Sequence, residues 1–158
     1  MLAPAAGVLA VACGSATTGL GYGGAASSPA GAQPTTDPNA AVSVTVRSTQ
    51  LGQILTDAQG RTLYLFQPDT ASSSACGASC LQVWPALTTN TGTHAGPGAT
   101  GSLLNTITRT DGMTQVTYNG HPLYYYVGDS RPGDTTGNNL NQFGGEWDVL
   151  SPAGTQVG

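Results

Sequence analysis

The 158-residue chain carries four arginines, no lysine and eight acids, for a formal charge of -4. With no basic cluster, it offers nothing to a phosphate backbone, so nucleic acid is set aside as a partner. The missing lysine also excludes Schiff-base and phosphate-loop chemistry.

The amino end, "MLAPAAGVLAVACGS", has an apolar run over 2–12 that is too short to cross a bilayer as a helix but suits a secretory leader. Cys13 follows Ala12 directly, and this junction resembles a bacterial lipoprotein signal. The resemblance implies cleavage after residue 12, lipidation of Cys13 and an extracytoplasmic location on the bacterial cell membrane. The Gly, Ala, Ser, Pro and Thr crowding 13–41 leave too little apolar content for a core. That stretch reads as a disordered tether, with a reach of roughly 30 Å if it behaves as a flexible coil.

Composition changes at Val42, and 42–152 is expected to be the globular unit, about 110 residues with one modest core. No stretch repeats with a helical period, whereas several alternate with period two and end in turn residues. The expected fold is all-β, a small antiparallel sandwich or barrel-like domain. "VSVTVRS" alternates Val42, Val44 and Val46 on one face. "LGQILTDAQGRTLYLF" reads as a hairpin opened by Asp57 and closed at Gly60, and "LLNTITRTDGMTQVTYNGHPLYYYV" as a three-stranded meander turning at Asp111-Gly112 and Asn119-Gly120. "GDSRPGDTTGNNLNQFGGE" is expected to be a long polar loop, an adaptable contact surface or a plain connector. "EWDVLS" supplies a last short strand, with Glu146 toward solvent.

One element occurs twice. "GRTLYLFQPD" and "GHPLYYYVGD" share Gly, Leu, Tyr, an aromatic two places on, and an Asp five places after the Tyr. Strand alternation puts Tyr64 with Phe66 and Tyr124 with Tyr126 on one face, leaving Leu63, Leu65, Leu123 and Tyr125 for the other. Both faces are apolar or aromatic, as in a strand covered on two sides. Asp69 and Asp129 fall where each strand must end and are expected to cap the following turn. A Trp follows each copy, Trp84 and Trp147, so the domain reads as two related hairpin/meander repeats, about 48–90 and 103–152, packed around aromatic rings.

The doubled Tyr-x-aromatic-x-x-Asp motif, with "CGASCLQVWP" after the first copy and "YNGHPLY" before the second, resembles the bacterial secreted-repeat lipoproteins described by the Tyr-x-(Phe/Trp/Tyr)-x-x-Asp signature. The resemblance spans 48–152. It implies an exported, usually lipid-anchored protein of unassigned biochemical function, with no catalytic residues to carry over.

The candidate chemistry is therefore read from the residues themselves. Outside the cytoplasm Cys76 and Cys80 are expected to oxidise to a disulfide that fixes the turn delivering Trp84. The alternatives are a redox couple and a copper or zinc site adding His94 and His121. Asp69 and Asp129 form a paired-carboxylate hydrolase only if the fold sets them face to face. A Tyr-rich, charge-poor surface suits an envelope glycan, polymer or protein ligand. The overall expectation is a non-enzymatic envelope module without a cofactor, held at the membrane by its lipid; the alternative is a redox or metal-handling protein centred on Cys76 and Cys80.

Overall fold

The computed structural model describes residues 41–158. The expected leader, the lipid site Cys13 and all of the tether but its last residue lie outside the described residues.

Strands dominate. β1 (Val42–Thr49) and β2 (Gly52–Asp57) form an antiparallel hairpin, and β4 (Thr93–Ala95) adds to the free edge of β1 in parallel register, Val42 opposite Thr93. That parallel pair departs from the purely antiparallel expectation. β5 (Leu104–Thr108), β6 (Thr114–Tyr118) and the short β7 (His121–Pro122) make the expected meander, except that its third strand stops at Pro122 instead of running on to Val127, and Tyr124 pairs only through isolated bridges. Its second turn uses Asn119 and Gly120 at φ 49° and 78°, the left-handed pair that a two-residue hairpin requires.

The remaining sheet is central. β3 (Tyr64–Phe66) leaves β2 after the Asp57–Gly60 turn and pairs with β9 (Gly145–Leu150), Tyr64 opposite Val149 and Phe66 opposite Trp147. β8 (Leu140–Gln142) and β10 (Gln156–Val157) also pair with β9. The segment expected to be a plain polar loop thus contains a strand, and the β8–β9 hairpin turns through Phe143 and Gly144 at φ 56° and 86°. A single helical turn, α1 (Ala78–Leu81), overlaps the Cys76–Cys80 loop and carries Cys80.

The two repeats join at their motif tyrosines. Tyr64 N–H donates to Tyr124 C=O at 2.9 Å and Tyr124 N–H to Tyr64 C=O at 3.0 Å. On its other edge the second copy bonds the chain near Trp84, through Tyr125 N–H to Pro85 C=O and Val127 N–H to Val83 C=O. Alternation then sends side chains into two separate cores. Leu63, Leu65 and Leu123 enter an aliphatic core with Val44, Leu55, Val116 and Leu150, while Tyr64, Phe66 and Tyr124 enter an aromatic core with Trp84 and Trp147.

Candidate functional site

The motif residues make a reciprocal exchange between repeats. Tyr64 OH donates to Asp129 Oδ2 and Tyr124 OH to Asp69 Oδ2, each at 2.6 Å. The other carboxylate oxygens cap turns: Asp69 Oδ1 accepts from Ala75 N–H, and Asp129 Oδ1 from both the N–H and the hydroxyl of Thr136. The capping role is legible in the sequence; the partnership across repeats is not, although the equal Tyr-to-Asp spacing of the two copies is its trace. Burial, reinforced by the neighbouring carboxylates, pushes both tyrosine hydroxyls far above their ordinary range, so neither gives up its proton near neutral pH. Burial also raises Asp69, against the opposing bonds from Tyr124 and Ala75. Each carboxylate is occupied by a tyrosine and a turn, an arrangement unlike two acids flanking a scissile bond.

The rings follow the same symmetry. Phe66 stacks on Trp147 at 4.1 Å between centroids, Trp147 on Trp84 at 4.0 Å and Trp84 on Tyr126 at 4.4 Å, giving a four-ring column. Tyr64 sets its edge against Trp84, and Tyr124 its edge against Trp147. Both indole N–H groups donate to Gln142, one to its side chain and one to its carbonyl. Since a buried aromatic side chain removes roughly 150–250 Å² from water, each of the buried rings, Tyr126 excepted, contributes on the order of 4–6 kcal/mol before entropy. These motif residues build the domain's interior.

Cys76 and Cys80 are joined as a disulfide and are only 2% and 3% exposed, within the aromatic core. Bonded to each other, the sulfurs have no thiolate to offer a metal or a partner disulfide. His94 is exposed on β4 and His121 half-buried on β7, where burial lowers its imidazole below the usual range. The described residues contain no group of three or more His, Cys, Asp or Glu arranged to hold a metal, so the Cys/His set is not brought together. A residue not singled out in the sequence, Arg109, locks the cysteine loop. Its buried guanidinium donates to Ser74 Oγ, Cys76 C=O and Gln115 Oε1 at 2.6–2.7 Å, and to Asp111 at 3.1 Å.

A surface cleft of about 480 Å³ opens where the second motif copy meets the segment between β2 and β3. Tyr125 and the half-buried Tyr126 line it with Val127, which is 59% exposed. Arg61 stacks over the Tyr125 ring at 3.9 Å and ties its Nε to Asp57 Oδ2 at 2.8 Å, while Tyr125 OH donates to the same oxygen. Asp57 Oδ1 accepts from the N–H groups of Gln59 and Arg61 and so caps the expected turn. The hairpin expected there is not formed as a ladder: β2 pairs with β1 and β3 with β9, leaving only a Thr56–Thr62 bridge between them. Arg131 and Pro132 complete the rim. Sequence reading missed this cluster because Asp57, Arg61, Tyr125 and Arg131 are scattered along the chain.

Two interlocked copies of one β element around a shared aromatic column define a duplicated-repeat β domain. A family model described as a secreted repeat of unknown function matches residues 45–88 and 105–151, overlapping both expected repeats, and the chain belongs to that family. Its membership makes it an exported protein. Comparison with curated proteins gave no match, and neither did comparison with solved structures.

Proposed function

We propose that the chain is a non-enzymatic binding module of the bacterial envelope, held at the membrane by a lipid on Cys13, with the Tyr125–Tyr126 cleft as its ligand site. What supports this reading is the contrast between two sets of groups. The motif hydroxyls, carboxylates and indoles are engaged inside the fold, which leaves them little to do in catalysis. The cleft instead presents ring surface, an exposed Val127 and the guanidinium of Arg131, which makes no ion pair among the described residues.

The test is co-sedimentation of the purified chain with insoluble bacterial cell-wall material, comparing the wild type with Val127→Asp, a change at an exposed position that leaves both cores alone. Loss of retention in the variant supports the cleft; equal retention of both moves the binding surface elsewhere. Cys13→Ala should transfer the expressed chain from the detergent phase to the aqueous phase on phase separation. A variant that stays with the detergent contradicts the anchor.

A further inference from the structure

The cleft carries an unusual share of the chain's positive charge. Of four arginines, Arg109 is buried in its network and the other three meet around Gly60, Pro132 and Gly133. Arg61 and Arg131 line the main cleft. Arg47 lies across the two glycines: a methyl group on Gly60 would come within 2.6 Å of its Nη1, and one on Gly133 within 3.2 Å of its Nε. Arg47 also lines a second cleft, of about 400 Å³, that shares Pro132 with the first. The three surface cations thus follow one path on a chain whose net charge is -4.

Acids stand nearby, Asp129 lining the first cleft and Asp134 the second, and each is already engaged by neighbouring groups. Asp57 is buried and holds Tyr125, Arg61 and two amides; Asp129 holds Tyr64 and Thr136; Asp134 turns Oδ2 to the N–H groups of Ser130 and Arg131. Among the described residues, Arg47 and Arg131 make no ion pair, while Arg61 gives its Nε to Asp57 and is also held against Tyr125. Beside the ring surface, the guanidinium groups of Arg47 and Arg131 remain as charged donors along the path. Guanidinium forks match planar carboxylate and phosphate oxygens, and an aromatic face suits the C–H side of a sugar ring.

We propose that the two clefts take an acidic saccharide chain, one sugar against Tyr126 and Val127, its anionic groups on Arg61 and Arg131, and the next units passing Pro132 toward Arg47. The proposal rests on the cleft being the ligand site and adds the chemistry of the ligand. The shared recognition element is an anion on a sugar-based polymer, supplied either by uronate carboxylates or by phosphodiesters.

The test is calorimetric titration of the whole chain with a galacturonate hexamer, its fully methyl-esterified form and a phosphodiester-linked hexose oligomer of matched charge, at low and high salt. The acid hexamer should bind at least tenfold tighter than the ester and weaken as salt rises. Arg131→Ala and Arg47→Ala, both at exposed positions, should each weaken it by about 1.4- to fivefold, the range for solvent-exposed charge contacts. Preference for the phosphate oligomer, lost in the same variants, keeps the proposal and assigns the anion to phosphate. If ester and acid bind equally and Val127→Asp abolishes both, the cleft is a neutral-glycan site and the anionic proposal falls alone. Absence of binding by all three probes overturns it, and retention of wild-type chain on cell-wall material then shows whether the binding-module reading survives. Tighter binding of a single-stranded oligonucleotide of equal charge overturns the saccharide assignment.

Discussion

Replacing Tyr64 by Phe keeps the ring in the aromatic core and deletes one hydroxyl. That hydroxyl donates to Asp129 Oδ2 at 2.6 Å and accepts from Gly137 N–H at 3.3 Å, so both groups lose a partner. A hydrogen bond to a charged group contributes about 1.5–3 kcal/mol, and the stranded partners add to the loss, so Tyr64→Phe should cost about 2–3 kcal/mol. A domain of ordinary stability, roughly 5–15 kcal/mol, survives this. The specific claim is that the partner lies in the other repeat. In double-mutant cycles by urea denaturation, Tyr64→Phe with Asp129→Ala should show a coupling of about 1–2 kcal/mol, reduced because Asp129 is partly exposed. Tyr64→Phe with Asp69→Ala, the pair within one motif copy, should be additive to about 0.5 kcal/mol. Strong coupling within the copy and none across copies would refute the interlocked arrangement.

Three further outcomes follow from the packing. Cys76→Ser with Cys80→Ser should cost about 2 kcal/mol, as expected for so short a loop, and intact mass should show the oxidised wild type lighter by two hydrogens; an unchanged unfolding midpoint would remove the staple. Gly137→Ala should destabilise by about 1–3 kcal/mol, because the added methyl comes within 2.7 Å of Trp84 Cη2 and 3.0 Å of Tyr64 Cε1, atoms of rigid rings, and a neutral effect would mean the rings can yield. His121 is held below its usual value of 6.5 by burial, so the folded state binds its proton less readily than the unfolded chain. Its contribution is whole above about pH 7 and is lost as pH falls through the histidine range toward the folded value. His121→Asn should therefore lose less thermal stability than the wild type between pH 7.5 and 5, and parallel curves would contradict the assignment.

How much of this was legible depended on how local the cause was. Asn119-Gly120 and Asp111-Gly112 specify their turns within a few residues, and the meander follows. Alternation of Leu63, Tyr64, Leu65 and Phe66 foretells two different environments, which the structure realises as two cores. β4 lies in a Thr- and Gly-rich stretch without alternation and owes its strand to the open edge of β1. β8 hides among amides and turns through Phe143, a bulky residue at positive φ that no turn rule favours. The pairing of Tyr64 with Tyr124 is long-range, so the motif displays the two halves without saying that each completes the other. The cleft was the least legible feature. Its aromatic lining comes from the motif, but its arginines belong to loops and strand ends that meet only in the folded chain.

The most direct measurement of the functional account is amide and side-chain NMR of the labelled chain titrated with soluble fragments released from bacterial cell wall. Shifts confined to Arg61, Tyr125, Tyr126, Val127 and Arg131, saturating with added fragment, are the predicted result. Saturable shifts on another face, or none at any fragment concentration, would contradict the assignment of the cleft as the working surface of this domain.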